Sequence, residues 1–157
     1  MHRICLAMIT MVLLTSCTKA EAPPKPITDG ITCSVTARGE AKTERLSVSR
    51  SGECYDAYFI HTDGTKGLGM SLSPSGCYLS FYKVKKQIDM QYISTSLPAL
   101  IYTALNHDYT ADSYSDGVYS ASDTCGKFQV WVGEDGLISK IDFISYKYIC
   151  QFDYKTA

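Results

Sequence analysis

Ser96-Leu-Pro-Ala-Leu-Ile-Tyr-Thr-Ala-Leu105 is the stretch of this chain in which apolar residues recur at helical spacing instead of alternating. Leu97, Leu100, Ile101, Ala104 and Leu105 stand at i, i+3, i+4, i+7 and i+8, one stripe of a helix. Ser96 is placed to cap its start, and Pro98 falls in the first turn, where its missing N–H costs nothing. Five such side chains would make a large apolar patch if exposed, so the helix needs a sheet to lie on.

That sheet is legible on both sides of the helix. Ile31, Cys33, Val35 and Ala37 alternate along a first strand, and Leu46 and Val48 along a second, with Arg38-Gly-Glu-Ala-Lys42 as the loop between them. Turns at Ser51-Gly-Glu53, Asp63-Gly64 and Ser73-Pro-Ser-Gly76 fold 54–62, 67–73 and 77–83 into a meander. Beyond the helix, Asp116-Gly117 and Glu134-Asp-Gly136 separate strands expected over 110–115, 118–122, 127–132 and 137–144. A last strand over 146–154 carries Tyr146, Tyr148, Cys150, Phe152 and Tyr154 on one face. The expected fold is α+β: a strongly curved antiparallel sheet of about nine or ten strands, an unclosed half-barrel, with one short covering helix.

The amino-terminal region carries an address. Met1-His2-Arg3, an apolar run over 4–14 and then Thr15, Ser16 and Cys17 have the layout of a secretory signal, too short to span a bilayer. Leu14-Thr15-Ser16-Cys17 resembles the bacterial lipobox, which implies cleavage before Cys17 and acylation of its sulfur. The expected organisation is a lipoprotein signal peptide over 1–16, a lipid-anchored flexible tether over 17–30, three prolines within it, and a folded domain over 31–157. The expected location is the extracytoplasmic face of the cell membrane, held through Cys17.

Loss of Arg3 with the leader leaves 14 Lys and Arg against 16 Asp and Glu, so no nucleic-acid partner is expected. Lys83-Val-Lys-Lys86, the basic cluster, reads as a solvated strand end or loop rather than a contact with anionic lipid. Of seven cysteines, five remain once Cys5 is removed and Cys17 acylated: Cys33, Cys54, Cys77, Cys125 and Cys150. The meander puts Cys54 and Cys77 on strands with another between them, beyond the reach of a disulfide, and the same count makes Cys125 with Cys150 difficult. At most one disulfide is expected, with Cys33 and Cys150 as buried, reduced thiols.

The meander, the helix opened by Ser96-Leu-Pro98 and the later hairpins together resemble small extracytoplasmic lipoproteins of Gram-positive bacteria in the LolA/LppX-like superfamily. The residues that carry the resemblance are Gly69-Met-Ser-Leu72, Ser96-Leu-Pro98, Asp116-Gly-Val-Tyr119, Gly126-Lys-Phe-Gln-Val130 and Asp135-Gly-Leu-Ile-Ser-Lys-Ile141. The resemblance implies an unclosed half-barrel whose apolar face binds acyl chains or similar ligands. On this sequence the ligand would lie between Leu100, Ile101 and Leu105 of the helix and Met70, Phe81, Val130, Ile141 and Phe143 of the sheet. The alternative is a protein-interaction or regulatory lipoprotein that scaffolds a cell-envelope enzyme, its interior filled by its own side chains.

Catalysis is not expected. His61-Thr-Asp63 and Asn106-His-Asp108 sit beside turns, where solvated polar residues are ordinary, and no metalloprotease, serine-hydrolase or penicillin-binding motif occurs. Asp108, Asp112 and Asp116 are spaced by four, unlike the alternating ligands of a calcium loop. Gly67-Leu-Gly69 lacks the third glycine and following helix of a phosphate cradle and reads as a strand start. No cofactor or metal is expected.

Overall fold

A computed structural model describes residues 22–154. The expected signal peptide, Cys17 and the start of the expected tether lie outside them. The described chain forms one unclosed antiparallel sheet of 11 strands with a single short α-helix. Strands β1 (Ile31–Arg38), β2 (Thr43–Ser51), β3 (Cys54–Ile60), β4 (Lys66–Ser73), β5 (Gly76–Phe81) and β6 (Val84–Ile88) form one meander. Helix α1 (Leu97–Leu105) leads to a second, β7 (Tyr114–Ser115), β8 (Val118–Asp123), β9 (Gly126–Val132), β10 (Ile138–Phe143) and β11 (Tyr148–Asp153). The meanders meet at the sheet centre, where β1 pairs with β11 and Val35 stands opposite Phe152. β6 and β7 are the free edges.

Two strands depart from expectation. β6 is an additional strand, built from the lysine cluster read as a strand end or loop, and pairs with β5 from Phe81–Val84 to Cys77–Ile88. Its hairpin has no glycine: Tyr82 takes a φ of 53°. The strand expected over 110–115 shrinks to two residues because a 3-10 turn, Ala111–Ser113, occupies its start.

One face of the sheet is apolar from β1 outward: Cys33, Val35, Ala37, Leu46, Val48, Tyr55, Ala57 and Met70 join Val130, Ile141, Phe143 and Cys150 in one buried cluster. The helix stripe read from the sequence, Leu97, Leu100, Ile101, Ala104 and Leu105, is buried in that cluster. Ser96 sits at the N-cap with extended backbone but makes no side-chain capping bond, while Pro98 lies within the first two helical positions. The other end is held without a C-cap glycine. Asn106 Nδ2 donates to the Tyr102 carbonyl and the Tyr109 hydroxyl to that of Ala104, while Arg50 of β2 donates to those of Leu105 and the Asn106 side chain. These partners take up carbonyls a helix end leaves unsatisfied, and the guanidinium meets its negative pole.

The opposite face of the sheet is polar. Glycine is used there for close approach: the Tyr58 ring crosses Gly69 of β4, where a Cβ would run into the ring's Cδ1. Trp131 and Lys140 are cross-strand partners, with Nζ 3.2 Å from the indole centroid.

The described part of the segment expected as a tether over 17–30 is docked on the domain. The Tyr119 hydroxyl donates to the Pro24 carbonyl, Ile27 pairs in parallel with Leu137, and the Asp29 carboxylate accepts from the Gly52 and Gly30 amides. Those two bonds, Gly52's first, hold the Asp29 carboxyl below its usual range. Apolar content in this segment is low, but one isoleucine and the backbone suffice to pin it.

Gly136 tests that docking. Its φ is +81°, and a Cβ would meet the Lys25 carbonyl at 3.0 Å and the Ile27 side chain at 3.1 Å. Gly136→Ala is expected to cost about 1–2 kcal/mol from the left-handed backbone alone and to free the Ile27 amide, which now donates to the Gly136 carbonyl. Hydrogen exchange at Ile27 measures it: protection unchanged from the parent chain would refute the docking.

Candidate functional site

The residues proposed from sequence to line a ligand cavity divide sharply. Met70, Leu100, Ile101, Leu105, Val130, Ile141 and Phe143 all lie in the buried cluster, each 0–1 % exposed. Phe81 does not join them. It is 49 % exposed near the free edge, its ring edge-on to Tyr82 at 4.5 Å. Strand alternation gave Phe81 the correct face but not its position beyond the reach of the helix, which touches β3 and β4.

Around the seven buried residues the interior is filled by aromatic rings. Tyr55 stacks at a tilt on Tyr102 of the helix at 5.2 Å and donates its hydroxyl to the Pro98 carbonyl at 2.8 Å. Phe128 meets Phe143 at 5.9 Å, and Tyr119 contacts both Tyr109 and Tyr114. Buried tyrosine hydroxyls need partners. Those of Tyr55, Tyr109 and Tyr119 find them in backbone carbonyls, and Tyr58 finds Ser71. Tyr154 is the exception: its hydroxyl is buried with no hydrogen-bond partner among the described residues.

Open clefts lie elsewhere. One of about 450 Å³ is bounded by Ala22, Pro23, Pro24, Tyr114, Val132 and Glu134, beside the docked segment. Another, of about 240 Å³, includes Leu105 alone of the expected ligand set, together with Arg50, Asn106 and His107.

Both histidines of the described residues have structural surroundings. The His61 ring covers Gly67, where a Cβ would stand 2.6 Å from Nε2. His107 Nδ1 lies 3.2 Å from an Asp123 oxygen, and its ring packs edge-on against Tyr109 and Phe128. Asp123 is held below the usual carboxylate range, chiefly by the Thr124 amide and next by His107. The sequence separation of His107 and Asp123 hid this pair, and only the β8–β9 turn brings them together. Nearby Cys125 is buried, with its thiol pushed up by burial first and by Asp123 second, the reverse of an activated nucleophile. Among the described residues no group of three or more His, Cys, Asp or Glu side chains is arranged to hold a metal.

All five cysteines of the described chain are free thiols. β4 separates Cys54 from Cys77, and register adds a second obstacle: Cys77 shares a face with Leu72 and Tyr55, so Cys54 points to the other side. Burial pushes Cys33 and Cys150 up to about 12 from 9.0. The folded state therefore favours their neutral form. The stability this confers is complete below pH 9 and is lost as pH rises from about 9 to about 12. Denaturant titrations across that range should show the fall, and Cys33→Ala with Cys150→Ala should flatten it. In native alkylation exposed Cys54 should react before Cys33 and Cys150; equal rates would contradict the burial.

Neither a family model nor a curated protein matches the sequence. Among the described residues no helix is long and apolar enough to cross a membrane.

Proposed function

We propose that this chain is a lipid-anchored extracytoplasmic lipoprotein whose domain is a strongly curved half-barrel of the LolA/LppX-like kind, acting as a self-filled scaffold for contacts with an envelope protein. Curvature is supported by proportion. Eleven strands laid flat would span about 50 Å, whereas a nine-residue helix is about 13 Å long, yet Val130, Ile141 and Phe143, on the other meander from the β3 and β4 that α1 touches, are as buried as Leu100. A flat sheet would leave them uncovered.

The observation that carries the scaffold reading is the closure of the expected ligand site. Seven of its residues are 0–1 % exposed in one buried cluster, and the Tyr55 and Tyr109 hydroxyls are satisfied by the protein's own carbonyls. An acyl-chain carrier needs apolar surface left uncovered by its own side chains. Native mass spectrometry of the purified full chain, before and after organic extraction, tests this. A single mass unchanged by extraction is expected. Loss of a co-purified lipid would overturn the scaffold in favour of a carrier.

A further inference from the structure

The β5–β6 hairpin ends in a cluster of exposed apolar residues that the core does not use. Phe81 and Val84 are cross-strand partners, 49 % and 68 % exposed; Tyr82 at the turn is 75 % exposed, and Leu68 on β4 is 44 % exposed. Register continues from Met70–Leu79 and Gly69–Ser80 to place Leu68 beside Phe81, so Leu68, Phe81 and Val84 form one row across three strands. Tyr82 is held at the apex by a φ of 53°, which Gly or Asn would adopt at less cost.

Lysines surround this row. Lys83 shares the turn with Tyr82, Lys85 and Lys86 point to opposite faces of β6, and Lys66 opens β4 on the same side of the molecule. The ion pairs of the described residues lie elsewhere, at Lys42–Glu44, His107–Asp123 and Lys147–Glu40. Lys85 and Lys66 rest instead over the rings of Tyr78 and Tyr58, at 4.4 and 4.7 Å. Asp63, the acidic residue of the neighbouring β3–β4 turn, is engaged by Thr65.

We infer that this hairpin tip docks on an anionic lipid bilayer surface, with Phe81, Tyr82, Val84 and Leu68 entering the headgroup boundary and Lys66, Lys83, Lys85 and Lys86 lying among the lipid phosphates. Four lysines without carboxylate partners complement a negative surface, and their alkyl stems extend the apolar contact. The row is also small. A stable protein interface takes about 800 Å² from each partner, more than a four-residue hairpin tip supplies, whereas shallow insertion needs only a protruding tip. The contact does not depend on acylation of Cys17 and goes beyond the scaffold reading.

The test uses the full chain carrying Trp131→Phe and Tyr82→Trp, so that the only indole reports on the tip. It is mixed with phosphatidylglycerol or phosphatidylcholine vesicles containing brominated acyl chains. An anchor delivers the chain to both vesicles alike, so dependence on composition isolates the tip. Quenching and a blue shift are expected with phosphatidylglycerol. Adding Lys83→Gln, Lys85→Gln and Lys86→Gln should lower the docked-to-undocked ratio about a hundredfold and abolish them. Absence of quenching in both vesicles would overturn the inference, as would equal quenching that survives the lysine changes. A shift that grows with protein concentration in lipid-free buffer would assign the tip to a second copy instead.

Discussion

Replacing Tyr55 with alanine is expected to destabilise the domain by about 3–5 kcal/mol, the largest loss expected from a single position. Tyr55 is 1 % exposed on β3, and its ring occupies the space between the sheet and Tyr102 of the helix. Alanine removes that volume and the bond to the Pro98 carbonyl, so helix and sheet lose packing and a specific tie together. Tyr55→Phe separates the two: the ring stays, and the cost should fall to about 0.5–1.5 kcal/mol, the net worth of one hydrogen bond. Urea unfolding of both variants is the measurement. Equal losses would mean that the hydroxyl, not the ring, fastens the helix.

Leu100→Ala should cost about 2–5 kcal/mol, because Leu100 is fully buried on the helix stripe and the cavity left behind adds to the lost transfer energy. The same variant bears on function. A helix lining an empty ligand cavity would lose less, and fatty acid would raise the melting midpoint of the parent chain but not of the variant. For the self-filled interior, no fatty-acid-dependent rise is expected in the parent chain. A clear rise abolished by Leu100→Ala would return the interior to the carrier reading.

Much of this architecture was written in periodicity. The stripe over 96–105 identified the helix and its buried face because five residues repeat at one period, and alternation in β1 and β11 assigned Cys33 and Cys150 to the buried side. Turns carrying Gly, Asp or Ser were equally legible. β6 was not: Lys83-Val-Lys-Lys86 lacks apolar alternation, and Tyr82 closes its turn without the residues that announce one. Edge strands favour lysine because it discourages further pairing, so the cluster that argued against a strand suits an edge.

How far the helix covers the sheet is less legible, for a related reason. Alternation tells which side chains share a face but not how far one helix covers it, so the pattern groups Phe81 with Met70 although of the two only Met70 lies under cover. The docked segment from Pro24 to Gly30 escaped notice because its attachment is mostly backbone, through Ile27, Gly136 and the Pro24 carbonyl, and leaves no hydrophobic pattern.

Pairing β1 with β11 sets a schedule for assembly. Each of the other strand pairs joins neighbours along the chain and can zip as a hairpin soon after its residues are available. The central pair must wait for Tyr148–Asp153, and until then β1 and β10 stand as bare edges on two separate meanders. Distant pairings of this kind slow folding, and open edges recruit other chains. The interval before β11 arrives is therefore when a newly made molecule is most prone to aggregate, and a chain ending before Tyr148 would remain in that condition.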